Sequence, residues 1–396
     1  MSDSPAVLES TGTAQDAHTS MHTAGPVQRI RLPNGVPVWL VTRYAEVREA
    51  LSDPRLSNRD RTEWFDQGAL SPQVRSAMNT SMLRIDPPDH TRLRKLVAKA
   101  FVSRRIEALR PRVRQLAGDL LDGLAAGPAE VDLIAGYASP LPIQVICELL
   151  GVPVEDRTNY REWADAFAAG LGAPVFPVQA VTDFVTHLHG LVARRRADPD
   201  DALLSALIAA RDEADRLTED ELISTAFLFV VAGHETTTNL IGNGLHLLLR
   251  NPELADHVRA RPEELPRAIE EFLRYESPVT GASLRTATSA LNLFGAEVAA
   301  GDLVMVSLHA ANRDGTAFAD GDGFLMDRAR NPHLSFGHGI HFCMGAPLAR
   351  VEAQVAIGDF LARFPRARLA VDADAIEWQP GLLTRGLTAL PVRLAG

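Results

Sequence analysis

The chain has 396 residues, 46% of them hydrophobic, and a formal net charge of −10, so it can bury a large core and is not expected to bind nucleic acid. Its two cysteines have no close spacing, which excludes a disulfide framework or a zinc cluster and is typical of a reducing cytosol. The N-terminus lacks a signal-peptide pattern and no apolar run reaches the ~18 residues of a membrane span, so we expect a cytoplasmic protein.

The N-terminal part predicts a tail followed by a hairpin. Residues 1–24 are polar and rich in Ser, Thr and Ala, which predicts a flexible tail. No linker divides residues 25–396, so we expect them to form a single domain. Apolar runs on both sides of Asn34-Gly35 predict a β-hairpin over residues 28–41.

Helix and loop then alternate. The pattern predicts a helix over residues 44–51, which Asp53-Pro54 ends. Residues 58–82 have no clear period, which indicates a long functional loop. The prolines of the segment Asp86-Pro87-Pro88 open a second helix, which continues to residue 101.

This second helix has two basic faces. His90 and Arg94 are four residues apart and share one face, while Arg92, Lys95 and Lys99 lie on another. The first face could hold an acidic group of a cofactor, and the second could bind an acidic partner. A solvated basic helix explains the same pattern without any ligand.

Residues 107–217 are predicted to be helical with short breaks. Cys147 lies in an apolar run there, which indicates a buried, unreactive thiol. The apolar segment 170–177 is interrupted by Gly and Pro, which predicts a mobile lid between two helices.

The longest predicted helix covers residues 218–250. Thr218 and Glu221 form a capping box at its start, and Asn251-Pro252 ends it. Its 33 residues would extend over roughly 50 Å. The pattern therefore predicts one continuous helix that crosses a whole domain.

The middle of this helix is unusual. Gly233 and three consecutive threonines are poor choices for a helix interior. A threonine hydroxyl can bond a carbonyl one turn back, and the carboxylate of Glu235 beside Thr236 could relay protons. His234-Glu235 also begins a zinc-protease motif, but Thr238 stands where the second histidine is required, so that alternative is excluded.

A shorter helix is predicted over residues 266–275. Glu271 and Arg274 share one of its faces and could form a partly buried ion pair. Two strands should follow, over residues 283–287 and 304–308.

The segment Phe336 to Gly345 contains the second cysteine, Cys343. Glycines at 337, 339 and 345 accept positive φ and let the backbone pass close to a flat ligand. A helix should begin after Gly345, and its N-terminus would stabilise a thiolate. Cys343 is therefore a candidate metal ligand, although a lone cysteine is more often an inert buried residue.

Four motifs in this order together resemble the cytochrome P450 superfamily, specifically soluble bacterial members of the actinomycete biosynthetic type. They are segment 86–94, segment 232–237, the Glu271–Arg274 pair and segment 336–345, in which His341 stands where many members have Arg. The resemblance extends from about residue 25 to the C-terminus. It implies a mainly α fold with small β-sheets (α+β), with a haem between the long helix and the cysteine loop.

The resemblance also implies roles for the matching residues. Cys343 would ligate the iron of haem b (iron protoporphyrin IX), and its electron donation would favour O–O cleavage. Glu235 and Thr236 would deliver the protons that dioxygen activation consumes. The haem propionates would be held by His90, Arg94, Arg285 and His333, and further haem contacts would come from Ala232, Gly233, Phe336, Gly337, His341 and Gly345.

The Glu271–Arg274 pair would be structural and tie its helix to the segment around Asn312-Arg313, with Arg328 completing the network. The implied reaction inserts one atom of O2 into a C–H bond or alkene of a sizeable apolar metabolite. Electrons would come from NAD(P)H through a ferredoxin reductase and a ferredoxin. We expect a monomer whose docking face includes Arg92, Lys95, Lys99, Arg104 and Arg105.

Substrate contacts are expected from loop 58–82, lid 171–178 and the apolar segments around residues 227–231, 279–284 and 382–384. The individual residues predicted to touch substrate are Phe227, Val231, Val279, Ala282 and Leu383. A peroxide-driven haem oxidase and a non-catalytic haem sensor are the alternatives. The first would need no ferredoxin and the second no acid–alcohol pair, so the intact Glu235-Thr236 pair favours the monooxygenase.

Overall fold

The structure, a computed structural model, describes residues 6–7, 25–32, 35–59, 70–98, 101, 103–170, 175–212, 217–282, 284–379, 381 and 383–394, with only the backbone at 6–7, 103–105, 210 and 212. No helix in these ranges is both long and apolar enough to cross a bilayer. The chain divides into two compact units. The first contains Met1–Arg59, Pro266–Cys343 and Trp378–Arg385, and the second contains Asp60–Leu265, Met344–Glu377 and Gly386–Gly396.

Helices dominate the described chain. In chain order they are α1 Tyr44–Ser52, α2 Pro72–Asn79, α3 Asp89–Ala98, α4 Ser103–Ala108, α5 Arg110–Ala126, α6 Pro140–Leu149, α7 Arg157–Gly170, α8 Val178–Ala197, α9 Leu203–Asp212, α10 Glu219–Gly233, α11 Glu235–Leu249, α12 Pro252–Ala260, α13 Leu265–Tyr275, α14 Leu308–Ala311 and α15 Ala346–Arg363. Short 3₁₀ or π turns lie at Ile134–Ala138, Val154–Asp156, Pro262–Glu264, Gly339–His341 and Ala373–Ala375.

The strands are short. They are β1 Ala6–Val7, β2 Val27–Arg31, β3 Pro37–Val41, β4 Leu56–Ser57, β5 Glu130–Asp132, β6 Arg285–Ala287, β7 Leu291–Leu293, β8 Ala296–Val298, β9 Leu303–Val306, β10 Arg368–Leu369 and β11 Pro391–Arg393. With this predominance of helix, the predicted mainly α fold with small sheets is confirmed.

The first unit is built on a six-stranded sheet of order β1-β2-β3-β9-β6-β4. β2 and β3 pair antiparallel from Val27 opposite Val41 to Arg31 opposite Pro37, which confirms the predicted hairpin. β3 pairs parallel with β9. Apolar residues from this sheet and from α1 form one core, which includes Val41, Val47 and Val304.

The second unit has a helical core. Helix α10 is buried along most of its length, as expected for a helix that is hydrophobic all round. Side chains of α2, α3, α6, α7, α8 and α9 pack with it in one continuous apolar cluster. A three-stranded antiparallel sheet of order β10-β11-β5 completes the unit.

The structure corrects the prediction of one 33-residue helix. The capping box of Thr218 and Glu221 is present, but the helix is interrupted at His234, between α10 and α11. The hydroxyl of Thr236 donates to the carbonyl of Ala232 at 2.7 Å, which is the carbonyl that the Thr236 N–H would bond in a regular helix. The threonine therefore competes for a main-chain acceptor at the point where the helix is interrupted.

Two other predicted elements are wrong in part. The strand predicted over 304–308 ends at Val306, because Ser307 caps α14 by accepting a hydrogen bond from the Ala310 N–H at 3.1 Å. The loop predicted over 58–82 contains helix α2, whose start is capped by Ser71 and whose first residue is Pro72. Residues 60–69 of that loop lie outside the described residues.

Some predictions fall on residues that the structure does not describe. The flexible tail lies outside them apart from β1, and so do residues 171–174 of the lid and the side chains of Lys99, Arg104 and Arg105. The prediction of a single domain over residues 25–396 stays a prediction.

Candidate functional site

The Cys343 loop in the first unit has the geometry that its glycines allow. Gly337 and Gly339 have φ values of 74° and 72°, in the left-handed region. A Cβ on Gly339 would lie 3.2 Å from the carbonyl oxygen of Leu51, so a larger residue would not fit without a shift. The Cys343 N–H donates to the Phe336 carbonyl at 2.8 Å, which closes the loop. Gly345, by contrast, has an ordinary φ of −77°.

The side chains on this loop fit a flat, largely apolar ligand. Cys343 is exposed in the chain, although cysteine is among the residue types most often buried. It is flanked by Ile340 and Phe342, which are 51% and 42% exposed. A thiol on a glycine-bounded loop among exposed apolar side chains is what the iron ligand of a haem requires.

Cys147 shows the contrast. It is fully buried in the apolar core of the second unit, and burial raises the pKa of its thiol to about 12. The prediction that this cysteine is buried is therefore confirmed, and its high pKa makes it a poor nucleophile or metal ligand.

Two predicted propionate ligands lie in the first unit. Arg285 is buried and donates to the carbonyls of Ala50 and Leu51 at 3.1 and 3.0 Å. The carbonyl of Leu51 is also the group that Gly339 approaches, so the structure places Arg285 beside the cysteine loop. This position agrees with a role near the cofactor.

His333 already has protein partners on both ring nitrogens. Its Nε2 lies 3.0 Å from Glu270 Oε2, and its Nδ1 accepts the Ser335 N–H at 3.3 Å. A propionate would therefore have to replace Glu270 as the partner of Nε2. Nothing in the sequence points to Glu270 as a partner of His333, because the two residues are 63 positions apart.

Glu271 and Arg274 on α13 belong to a buried hydrogen-bond network that supports the segment before the cysteine loop. Arg274 and Glu271 are both almost fully buried and joined by two hydrogen bonds of 2.7 and 2.8 Å. Arg274 also donates to the carbonyls of Asn312, Gly321 and Gly323. Glu271 accepts further hydrogen bonds from the Leu325 N–H and from the side chains of Arg328 and Asn331.

This network confirms the predicted link between α13 and the segment around Asn312, with Arg328 as a member. Asn312 extends it toward the cysteine loop, since its Oδ1 accepts the Leu334 N–H at 2.6 Å and its Nδ2 donates to Ser335 at 2.8 Å. These hydrogen bonds fix the chain at Leu334 and Ser335, directly before the cysteine loop.

Three of the predicted substrate residues lie together in the first unit. Val279 pairs with Thr384 in an isolated β-bridge, and the Thr280 N–H donates to the Leu383 carbonyl at 2.9 Å. The Ala282 N–H donates to Val306 at 3.2 Å. Val279, Ala282 and Leu383 are all half-buried, so each retains surface for a ligand.

The second unit contains the predicted site residues of segment 232–237, together with Val231. At the end of α10, Ala232 is exposed, and Val231 and Gly233 are half-buried. Glu235 and Thr236 begin α11 and are half-buried as well. The small side chain of Ala232 and the absence of one at Gly233 leave room for a ligand to approach the backbone closely.

Phe227 lies deeper than its predicted role suggests. It is 3% exposed, and its ring packs edge-on against Phe167 and at a tilt against Phe184, with centroid distances of 5.3 and 5.1 Å. These aromatic contacts make Phe227 part of the core of the second unit. Its contact with substrate stays a prediction.

The basic helix α3 also lies in the second unit. His90 is buried, and burial together with the charge of Arg94 lowers its pKa. Arg92 does not face only solvent, because it forms an ion pair with Glu221, the residue of the capping box on α10. Like Arg92, whose side chain is 43% exposed, Lys95 lies on the surface.

Comparisons with known proteins agree with this arrangement. The family model for cytochrome P450 matches residues 178–381. Cytochrome P450 107B1 of Saccharopolyspora erythraea is 48% identical, over 96% of this chain and 95% of its own. Mycinamicin IV hydroxylase/epoxidase of Micromonospora griseorubida is 43% identical, over 93% of this chain and 92% of its own. The solved structure of tirandamycin C-bound P450 monooxygenase TamI superimposes with a TM-score of 0.90 at 46% identity, covering 99% of this chain and 100% of TamI.

Proposed function

The chain belongs to the cytochrome P450 superfamily, in its bacterial biosynthetic branch, and from this premise we propose that it hydroxylates or epoxidises a sizeable apolar metabolite with electrons from a ferredoxin. It is a monooxygenase and therefore an oxidoreductase. The observation that carries the proposal is the exposed thiol of Cys343 on its glycine-bounded loop. We propose further that it acts as a monomer in the cytoplasm.

In this proposal Cys343 ligates the haem iron. Arg285, His90 and Arg94 are suited to the propionates because they present cations or N–H donors to carboxylates, and His333 would join them if a propionate replaced Glu270. Phe336, Gly337, His341, Gly345, Ala232 and Gly233 supply the remaining haem contacts. The bound haem supplies the oxidising power for oxygen insertion, while the protein holds the substrate and the protons in place.

Glu235 and Thr236 have different parts in moving protons. The Thr236 hydroxyl donates to the Ala232 carbonyl at 2.7 Å, so its oxygen is left as an acceptor for a proton donor. The Glu235 carboxyl can carry the proton itself. We propose that Thr236 holds the donor in position and that Glu235 replenishes it.

Thr236→Ala is expected to release more hydrogen peroxide during NADPH turnover. Without the hydroxyl the proton donor is less well held, and we expect the peroxide formed per NADPH to rise at least about threefold. Peroxide is measured enzymatically alongside the loss of NADPH absorbance. Thr236→Ser keeps the hydroxyl and is the matched control. Equal peroxide yields in both variants would contradict the role assigned to Thr236. If the protein were a peroxide-driven enzyme instead, product formation would not depend on ferredoxin.

The electron donor is proposed to dock against a basic surface that includes Lys95. The side chain is exposed on α3, and its positive charge would attract an acidic ferredoxin despite the negative net charge of the chain. Arg92 contributes less than the sequence suggested, because Glu221 neutralises it.

Lys95→Glu should slow reduction by an acidic bacterial ferredoxin by about threefold at low salt and flatten the salt dependence. Stopped-flow absorbance under carbon monoxide measures the rate. Arg366→Glu reverses an exposed charge elsewhere in the second unit and is the control. If both variants behave alike, Lys95 does not belong to the docking surface.

The substrate is proposed to be apolar because the residues proposed to contact it are apolar. Val279, Ala282, Leu383 and Val231 are half-buried aliphatic side chains. Titration with macrolide, terpenoid and steroid probes, followed through the Soret band, tests this proposal. Binding of none of these probes, with tight binding of a small polar compound, would contradict it.

A further inference from the structure

Main-chain hydrogen bonds hold the chain at Leu383 against the segment that follows α13. The Thr280 N–H donates to the Leu383 carbonyl, and the Arg385 N–H donates to the Pro278 carbonyl, both at 2.9 Å. The β-bridge that lies between these two hydrogen bonds is isolated. A single bridge is much shorter than an ordinary strand pair, and even a complete two-stranded ladder is only marginally stable. Main-chain bonding at this point therefore specifies the register of Leu383 only weakly.

The side chain of Arg385 provides a second attachment. Its Nε donates to Oε2 of Glu276, the residue directly after α13, at 2.7 Å. Its guanidinium carbon lies 3.5 Å from the ring centroid of Trp378, which is seven residues earlier in the chain. The side chains of Arg385 and Glu276 are only 17% and 11% exposed, and a cation–π contact gains strength when it is shielded from water. Arg385 thus joins both ends of the segment that contains Leu383 to the end of α13.

Glu276 has a second cationic partner. Nη2 of Arg313 lies 3.9 Å from Glu276 Oε1, and the same Nη2 donates to the Tyr275 carbonyl at 2.7 Å. Substitution of Arg385 would therefore not leave the Glu276 carboxylate without a cation, which is the condition under which breaking a shielded ion pair is most destabilising. We expect variants of Arg385 to fold while the segment around Leu383 loses its side-chain attachment.

This attachment acts on a side chain in a confined place. A Cβ on Gly281 would lie 3.7 Å from Cδ2 of Leu383 and 3.3 Å from the carbonyl oxygen of Val306. The Leu383 side chain therefore packs directly over Gly281, next to Ala282 in the chain. Leu383 is half-buried, so part of its surface remains available to a ligand. A shift of Leu383 would change the space beside it.

We propose that Arg385, held by Glu276 and Trp378, is a positioning residue that fixes Leu383 over Gly281 and thereby determines which large apolar ligands the site accepts. This inference rests on the proposed function, in which Leu383 contacts the substrate. Arg385 acts through Leu383 and not through a contact of its own with the ligand. An apolar pocket discriminates by shape, and one methylene group more or less changes binding by about 10–200-fold.

The test compares a small and a large azole, both of which bind a haem iron through nitrogen and shift the Soret band. Imidazole probes the iron alone, whereas clotrimazole carries a large apolar triaryl substituent. In Arg385→Ala we expect the Kd of clotrimazole to rise about fivefold and that of imidazole to stay within about twofold. Leu383→Ala should weaken clotrimazole binding about tenfold. Arg385→Lys keeps the charge but not the planar stack on Trp378, so we expect a loss of only about twofold.

The double variant Arg385→Ala/Leu383→Ala shows whether the arginine acts through the leucine. If it does, the double variant should bind clotrimazole about tenfold more weakly than unaltered protein, as Leu383→Ala alone does. Independent effects would multiply to about fiftyfold and would overturn the proposal. An unchanged clotrimazole affinity in either single variant would overturn it as well. If Arg385→Ala does not fold, Arg385→Lys takes its place in the same comparison.

Arg55→Ala is the matched control. Arg55 also lies in the first unit and pairs with a carboxylate, that of Asp53, but its side chain is 51% exposed. Both azole affinities should be unchanged in this variant, because exposed pairs contribute little. A loss of clotrimazole affinity equal to that of Arg385→Ala would contradict the proposal.

The two azoles also separate this inference from the proposed function. A role of Arg385 in stability alone would weaken imidazole and clotrimazole binding alike, and this result would refute the positioning role. If neither azole shifted the Soret band of unaltered protein, the haem assignment would fail and the inference with it. Normal azole spectra with an unchanged ratio of the two affinities in Arg385→Ala would refute only the role of Arg385.

Discussion

Cys343→Ser is expected to abolish the strongly red-shifted Soret band of the dithionite-reduced protein under carbon monoxide. The band depends on electron donation from a thiolate to the haem iron, and a serine hydroxyl remains protonated and does not supply that charge. We expect complete loss of the band and of NADPH-dependent oxygen insertion. Absorption spectra of the purified proteins measure the first, and product analysis measures the second.

Cys147→Ala is the matched control for this experiment. Its thiol is fully buried, and burial raises its pKa to about 12, so it should contribute nothing to the spectrum. A small loss of stability is expected from the missing sulfur, without any shift of the band. A red-shifted band that survives Cys343→Ser, or disappears with Cys147→Ala, would refute the ligand assignment and the mechanism that depends on it.

Arg274→Ala should destabilise the protein by about 3–5 kcal/mol, a large part of the ~5–15 kcal/mol that stabilises a typical domain. The substitution leaves the Glu271 carboxylate buried without its principal partner and frees the carbonyls of Asn312, Gly321 and Gly323. Urea unfolding, followed by circular dichroism, measures the loss. We also expect less protein with the carbon monoxide band, because the segment that leads to the cysteine loop is anchored by this network.

Two further variants make this result interpretable. Arg274→Lys keeps the charge but not the planar fork of donors, so an intermediate loss is expected. Arg363→Ala removes a cation whose partner, Asp122, is 74% exposed, and a surface pair of this kind contributes at most about 1 kcal/mol. Similar losses from Arg274→Ala and Arg363→Ala would show that the buried network does not stabilise the fold.

Features set by local chemistry could be predicted from the sequence. The capping box of Thr218 and Glu221, the hairpin around Asn34-Gly35 and the glycine turns before Cys343 each depend on a few adjacent residues. Their sequence patterns determine the backbone almost alone, which explains why the structure contains them where they were expected.

Features that depend on competing hydrogen bonds, or on partners distant in the sequence, could not be predicted in this way. The sequence indicates that a threonine here can bond a carbonyl one turn back, as Thr236 does with Ala232, but the hydrophobic period does not show that the helix breaks at His234. Helix α14 replaced the end of a predicted strand because Ser307 caps it. The ion pair between Arg92 and Glu221 joins residues on different helices, and only the folded chain shows it.

The candidate site shows the same division. Cys343, Glu235 and Thr236 were identified from short motifs. Their supporting residues were harder to find: Glu270 beside His333 and Asn312 beneath Leu334 are brought close only by tertiary folding. Short sequence motifs thus indicate the groups that we propose to take part in the reaction, whereas the residues that hold those groups are found only in the folded structure.

The partners of Arg274 also show what this arginine requires of the chain around it. Apart from Glu271, the acceptors described for its guanidinium are main-chain carbonyls, which every amino acid possesses. For the hydrogen bonds to Arg274 itself, only the path of the chain at these positions matters. Other contacts restrict all three: a Cβ on Gly321 would lie 2.1 Å from the carbonyl oxygen of Arg313, one on Gly323 would lie 2.0 Å from Asp320 Oδ2, and the side chain of Asn312 bonds Leu334 and Ser335. Arg274 therefore requires a particular path of the backbone rather than particular residue types at these positions.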